Sequence, residues 1–140
     1  MFALHPRLTQ DTITVGHLKL CQLLMMNDAH YPWFILVPMR EGITEAHQLS
    51  AADRALLTEE SATLSNALCE AFDADKMNIA ALGNMVPQLH IHHVVRYRDD
   101  ATWPDPVWGR MVAEPYNTEM IAARLDKLKK ALPEGAVQFS

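Results

Sequence analysis

Cysteine is scarce in this chain, and the two present, Cys21 and Cys69, lie far apart and form no CxxC pair. Each has apolar neighbours, which predicts two reduced core thiols and argues against a disulfide or a zinc cluster. Positive charge is also short: 12 Lys and Arg stand against 17 Asp and Glu, for a net charge of −5 and a pI near 5.7. That balance argues against broad electrostatic binding to nucleic acid or anionic membrane, while leaving room for a small nucleotide in a local pocket. No run approaches the roughly 20 apolar residues of a membrane span. The N-terminal "MFALHPRLTQ" has neither the basic region nor the long apolar stretch of a secretory signal. The expectation is a soluble, cytoplasmic protein with no nucleic-acid or membrane partner. Repeats and low-complexity tracts are missing too, and 140 residues suit one compact domain.

What is present reads as alternating elements. "LHPRLTQDT" allows a turn or two of helix. "VGHLKLCQLLMMND" reads as one strand ending at the Asn27-Asp28 turn signal, and "YPWFILVPM", aromatic, β-branched and closed by Pro38, as a second strand paired antiparallel to it. Ser50 followed by Asp53 resembles a capping box, and Leu57, Leu64, Leu68 and Phe72 continue it as a helical stripe. "MNIAALGN" and "QLHIHHVV" read as two further strands joined by a tight turn at 83–87. After the Pro- and Trp-rich "ATWPDPVWG", a last helix begins near Asn117 with Ile121, Leu125, Leu128 and Leu132 on one face. Helices segregated between and after strands predict an α+β domain with an antiparallel sheet.

The chemistry-bearing stretch is "QLHIHHVV", which holds three of the seven histidines. On a strand, Gln88, His90, His92 and Val94 would share one face and His93 the other. Neutral imidazole is both a nucleophile and a proton carrier near pH 7. A single strand histidine is more often structural, but two at alternate positions form a row that could attack phosphorus. A metal site would need a third ligand, for which His17 and His30 are available.

"GNMVPQLHIHHVVRY" resembles the signature of the histidine triad (HIT) superfamily, His-φ-His-φ-His-φ-φ with φ apolar, behind a Gly-containing turn. The order of elements over residues 15–96 agrees with that resemblance, and the "WPDPVWG" stretch looks like the tail of bacterial HIT-family hydrolases. The resemblance implies a HIT-like fold, an antiparallel sheet of about five strands with one long helix packed on it, over core residues 15–96, with the C-terminal loop and helix in 97–140. It implies that His90 attacks the α-phosphate of a nucleotide to form a nucleotidyl-histidine, and that His92 supports it. Gln88 takes the place of the first histidine, with hydrogen-bonding capacity but no proton to exchange near neutrality.

By the same resemblance Asn84 and Asn78 contact phosphate, and Asn27 and Asp28 grip the ribose, although both of the latter are equally good turn formers. Met85 stands where relatives carry Ser or Thr, and a thioether donates no proton. His93 is expected to be structural or partly exposed. Arg96 could meet phosphate or be a solvated strand-end charge, and Trp103 and Trp108 could cap a substrate or pack at a dimer contact. The implied protein is a homodimer, requires no cofactor or metal, and hydrolyses or transfers from a nucleoside phosphoramidate or dinucleoside polyphosphate. The alternatives are a noncatalytic nucleotide-binding dimer and a metal-dependent protein using His90 and His92.

Overall fold

A computed structural model describes all of residues 1–140. Helix α1 (Pro6–Asp11) opens with proline in its first turn, where a missing N–H costs nothing, and His5 caps it by accepting the Arg7 N–H on Nδ1. Strands β1 (Thr12–His17), β2 (Cys21–Met26) and β3 (Trp33–Pro38) follow, then α2 (Ala51–Phe72), β4 (Lys76–Ala80), β5 (Ile91–Arg96), α3 (Thr118–Ala131) and the short β6 (Gln138–Phe139). The sheet runs β4-β5-β3-β2-β1-β6 with every pairing antiparallel. The α+β reading with an antiparallel sheet holds, with six strands in place of about five.

Three boundaries differ from the sequence reading. The single strand expected up to Asn27 is two, β1 and β2, because Glu60 of α2 reaches across and accepts the N–H groups of Leu20 and Cys21 at 2.8 and 2.9 Å. β6 closes over β1 at Gly16, where a Cβ would stand 2.3 Å from the Gln138 carbonyl oxygen, so only glycine admits this approach. The β4–β5 connection is a long loop over 81–90, not a tight turn, and β5 begins only at Ile91. Gly83, at φ +77°, supplies the left-handed bend in that loop.

Ser50 caps α2 as expected, its hydroxyl accepting the Asp53 N–H. Leu64, Leu68 and Phe72 then pack on one sheet face with Leu23, Met25, Phe34, Leu36 and Val95, together with Leu128 of α3. Cys21 joins this core, but Cys69 is exposed, a correction to the expectation of two core thiols. The helical turn of about 100° per residue carries Cys69 off the Leu64–Leu68–Phe72 stripe. The opposite face, with Leu24, Trp33, Ile35, Val37 and Val94, is covered by Leu8, Val86 and Val107 from α1 and two loops. β3 is therefore buried along its whole length, which accounts for its unbroken apolar run.

Candidate active site

β3 and β5 pair with Trp33 opposite Val94 and Ile35 opposite His92, so His92, Val94, Trp33 and Ile35 project to the face away from α2 and α3. His90, just before β5, reaches the same side, its ring centroid 4.9 Å from that of His92. The two histidines, with Asn84, Met85, Gly83 and Trp108, line a cavity of about 350 Å³. A second cavity of about 430 Å³ adjoins it and is lined by Asn27, Asp28, Tyr31 and Trp33. Arg7, Asp11, Met26, Trp108 and Gly109 border both, so the two form neighbouring compartments of one cleft, each of a size that holds a small ligand.

Hydrogen bonds set the tautomer of each histidine. His90 Nδ1 lies 2.7 Å from the Gln88 carbonyl oxygen. A carbonyl only accepts, so Nδ1 carries the proton and Nε2 of the neutral ring keeps its lone pair. His92 has the opposite arrangement: its Nδ1 accepts the Trp33 indole N–H at 3.0 Å, which leaves the proton on Nε2. Burial, reinforced by the neighbouring His90 and His93, lowers the His92 pKa to about 3, so it is a neutral hydrogen-bond donor across the physiological range. The Trp33, Trp108 and His92 rings pack edge to face, with centroids 5.3 to 6.0 Å apart. The arrangement offers a fixed nitrogen lone pair beside a fixed N–H donor in a partly desolvated pocket, which suits attack on phosphorus with support of the developing anion.

The remaining sequence candidates separate. Asn84 and Met85 border the histidine cavity. Asn27 and Asp28 border the adjoining one, and both also tie the backbone: the Asn27 side-chain oxygen accepts the Tyr116 N–H, and Asp28 accepts the N–H of His30 and of Glu114. The imidazole of His30 sits 2.6 Å from the same Asp28 oxygen. Asn78 lines neither cavity, its side-chain oxygen being taken by Arg96 at 2.7 Å. Gln88 lies outside β5 and does not border the cavity; its amide bonds Ala3 and His5 of the N-terminal segment. Trp103 lies over the Arg96 guanidinium, at 5.5 Å. His93 is fully buried on the α2 face, held between the Ile91 carbonyl and the Ser61 hydroxyl, and burial lowers its pKa to about 4.

Arg96 meets neither expectation. It is 1 % exposed, paired side-on with Asp100 at 2.7 and 3.1 Å, and stacked between the rings of Tyr31 and Trp103. No third His, Cys, Asp or Glu joins His90 and His92 in a group able to hold a metal ion.

The HIT domain family profile matches residues 7–99, two thirds of the chain and the whole of the histidine cavity wall up to β5. This chain belongs to the HIT domain family. A histidine triad protein from Marinobacter aquaeolei VT8 superposes with a TM-score of 0.92 at 50% identity, over 94% of this chain and 96% of that one. One from Bradyrhizobium japonicum gives the same TM-score at 42% identity, over 94% and 98%. A Hit-like protein involved in cell-cycle regulation from Bartonella henselae shares the fold at 16% identity, with a TM-score of 0.64 over 86% of this chain and 87% of that one. No curated protein matches the sequence. No helix of this HIT protein is long and apolar enough to cross a membrane.

Sequence reasoning found His90 and His92 through their period-two spacing. It missed Trp33, which it read only as part of an apolar strand. The signal that identifies Trp33 is the β3–β5 register, which sequence spacing within either strand does not contain.

Proposed function

We propose that this protein is a nucleotide hydrolase or nucleotidyl transferase that cleaves a nucleoside phosphoramidate or a dinucleoside polyphosphate through a nucleotidyl-His90 intermediate. The observation that carries this reading is the tautomer pair: His90 with Nδ1–H on the Gln88 carbonyl, beside His92 with Nε2–H enforced by Trp33. His90 Nε2 forms a bond to the α-phosphorus as the bond to the leaving group breaks, a polyphosphate departing as its anion and an amine taking a proton from solvent, and the cationic ring that results keeps its Nδ1–H on the carbonyl. His92 Nε2–H donates to a non-bridging phosphate oxygen as charge builds there. Water then attacks phosphorus, gives its proton to the solvent, and releases the nucleoside monophosphate with His90 restored. Asn84 serves the phosphate and Asn27 with Asp28 the ribose in this reading; Asn78 acts only through Arg96.

The reading needs no cofactor. It takes the assembly to be a homodimer joined along the edge strand β4, where Ile79 on the strand and Leu82 just after it are exposed. The competing reading, a noncatalytic nucleotide-binding dimer, is favoured by Met85, which offers no proton to a leaving group. Chromatography of products after incubation with adenosine phosphoramidate or diadenosine tetraphosphate separates the two. AMP release that disappears in a folded His90→Ala variant supports the enzyme. Bound nucleotide with no turnover by the wild type leaves the binding module.

A further inference from the structure

The histidine cavity has a charge problem. A substrate phosphate brings negative charge into a site where burial keeps His92 neutral, in a chain whose net charge is −5. Arg7 is the one arginine or lysine that borders either compartment of the cleft, and it borders both. Its side chain is 55 % exposed and gives only Nε to Asp11, at 3.2 Å, so the forked Nη groups are free of protein partners. An exposed i,i+4 pair of this kind contributes little to stability. A guanidinium oriented by a carboxylate on one edge and open on the other is instead suited to phosphate oxygens.

A chain of hydrogen bonds connects Arg7 to residue 88. The Gln88 amide accepts the His5 N–H and donates to the Ala3 carbonyl, both at 2.8 Å, clasping the N-terminal segment as a neighbouring strand would. His5 in turn caps the helix that carries Arg7. A neutral imidazole at position 88 has its one donor and one acceptor pointing apart around the ring and does not clasp two groups of the same backbone segment in this way.

We propose that Arg7 is a substrate-binding residue that holds the phosphate chain, and that Gln88 is a positioning residue that seats the helix carrying it. The proposal rests on the nucleotide reading given above and narrows it to substrates with more than one phosphate. A second consideration agrees: His92, already neutral at physiological pH, has no imidazolium proton to give and Met85 has none at all, so a leaving group that departs as a stable anion, such as a nucleoside polyphosphate, suits the site better than an amine that must be protonated.

The test is calorimetric titration of the full-length protein with AMP, ADP and ATP, for the wild type and for Arg7→Gln, Arg7→Lys, Gln88→Ala and the Arg7→Gln/Gln88→Ala pair, each checked for fold by circular dichroism. Wild-type affinity should climb from AMP to ATP. Arg7→Gln should weaken ATP at least about tenfold and AMP less, flattening the series, with Arg7→Lys in between. Gln88→Ala should shift ATP in the same direction and add little to Arg7→Gln, since both act through one guanidinium. Undiminished ATP affinity in Arg7→Gln overturns the inference while leaving the nucleotide reading intact. Undiminished affinity in Gln88→Ala removes the positioning role. A wild type that binds none of the three overturns both the inference and the reading beneath it.

Discussion

Trp33 does for His92 what the Gln88 carbonyl does for His90: it decides where the proton sits. Trp33→Phe keeps most of the ring packing and removes the indole N–H. His92 should then populate both neutral tautomers, visible in its nitrogen-15 shifts, and its pKa should rise because a bond to the neutral form is gone. On the enzyme reading kcat should fall about tenfold, the worth of one buried hydrogen bond, with KM changed little. At this scale the two cleft histidines were legible because the alternation of a strand lies in the sequence itself. Arg96 was not. Its surroundings come from Asn78 on β4, Tyr31 before β3 and Asp100 beyond β5, and no local pattern announces that these meet.

At the level of elements, the Arg96–Asp100 pair organises the loop that walls the cleft. Asp100 also accepts the N–H groups of Tyr97, Thr102 and Trp103. Burial works against its charge, but the bonds from Arg96 and these amides hold its carboxyl below the usual range. Asp100→Ala would leave a buried guanidinium without its partner, and urea denaturation should show a loss of about 3 to 5 kcal/mol. The loop over 97–117 should become protease-sensitive with it, loosening Trp108 at the cavity wall. α2 was legible from Ser50 and its apolar stripe. The β1–β2 turn was hidden because "LKL", the three residues that join the strands, contains no turn residue, and the carboxylate that secures it comes from Glu60, some forty positions away.

For the molecule as a whole, β5 buries imidazoles on both sides, His92 toward the cleft and His93 toward α2. Burial depresses both pKa values, to about 3 and about 4. The unfolded chain, with histidines near 6.5, binds protons first as pH falls, so the stability these rings contribute is complete above about pH 6.5 and is lost progressively toward pH 4. Denaturation at pH 5 should show up to about 2 kcal/mol less stability per buried ring than at pH 7.5. His93→Asn, if it folds, should flatten part of that slope; an acid limb left unchanged would mean the ring is protonated in the native state.

The edge-to-face contact of Trp33 and Trp108, with His92 against both, has an optical consequence. Two of the three indoles in the chain are gathered where the cleft is walled, and the third, Trp103, lies over a buried guanidinium. The near-ultraviolet absorption and emission of the protein therefore come largely from chromophores in or beside the cleft. A base stacking there, or a shift of the loop, changes the environment of most of the emitting rings at once. The chain carries its own fluorescent gauge of occupancy, read without a label.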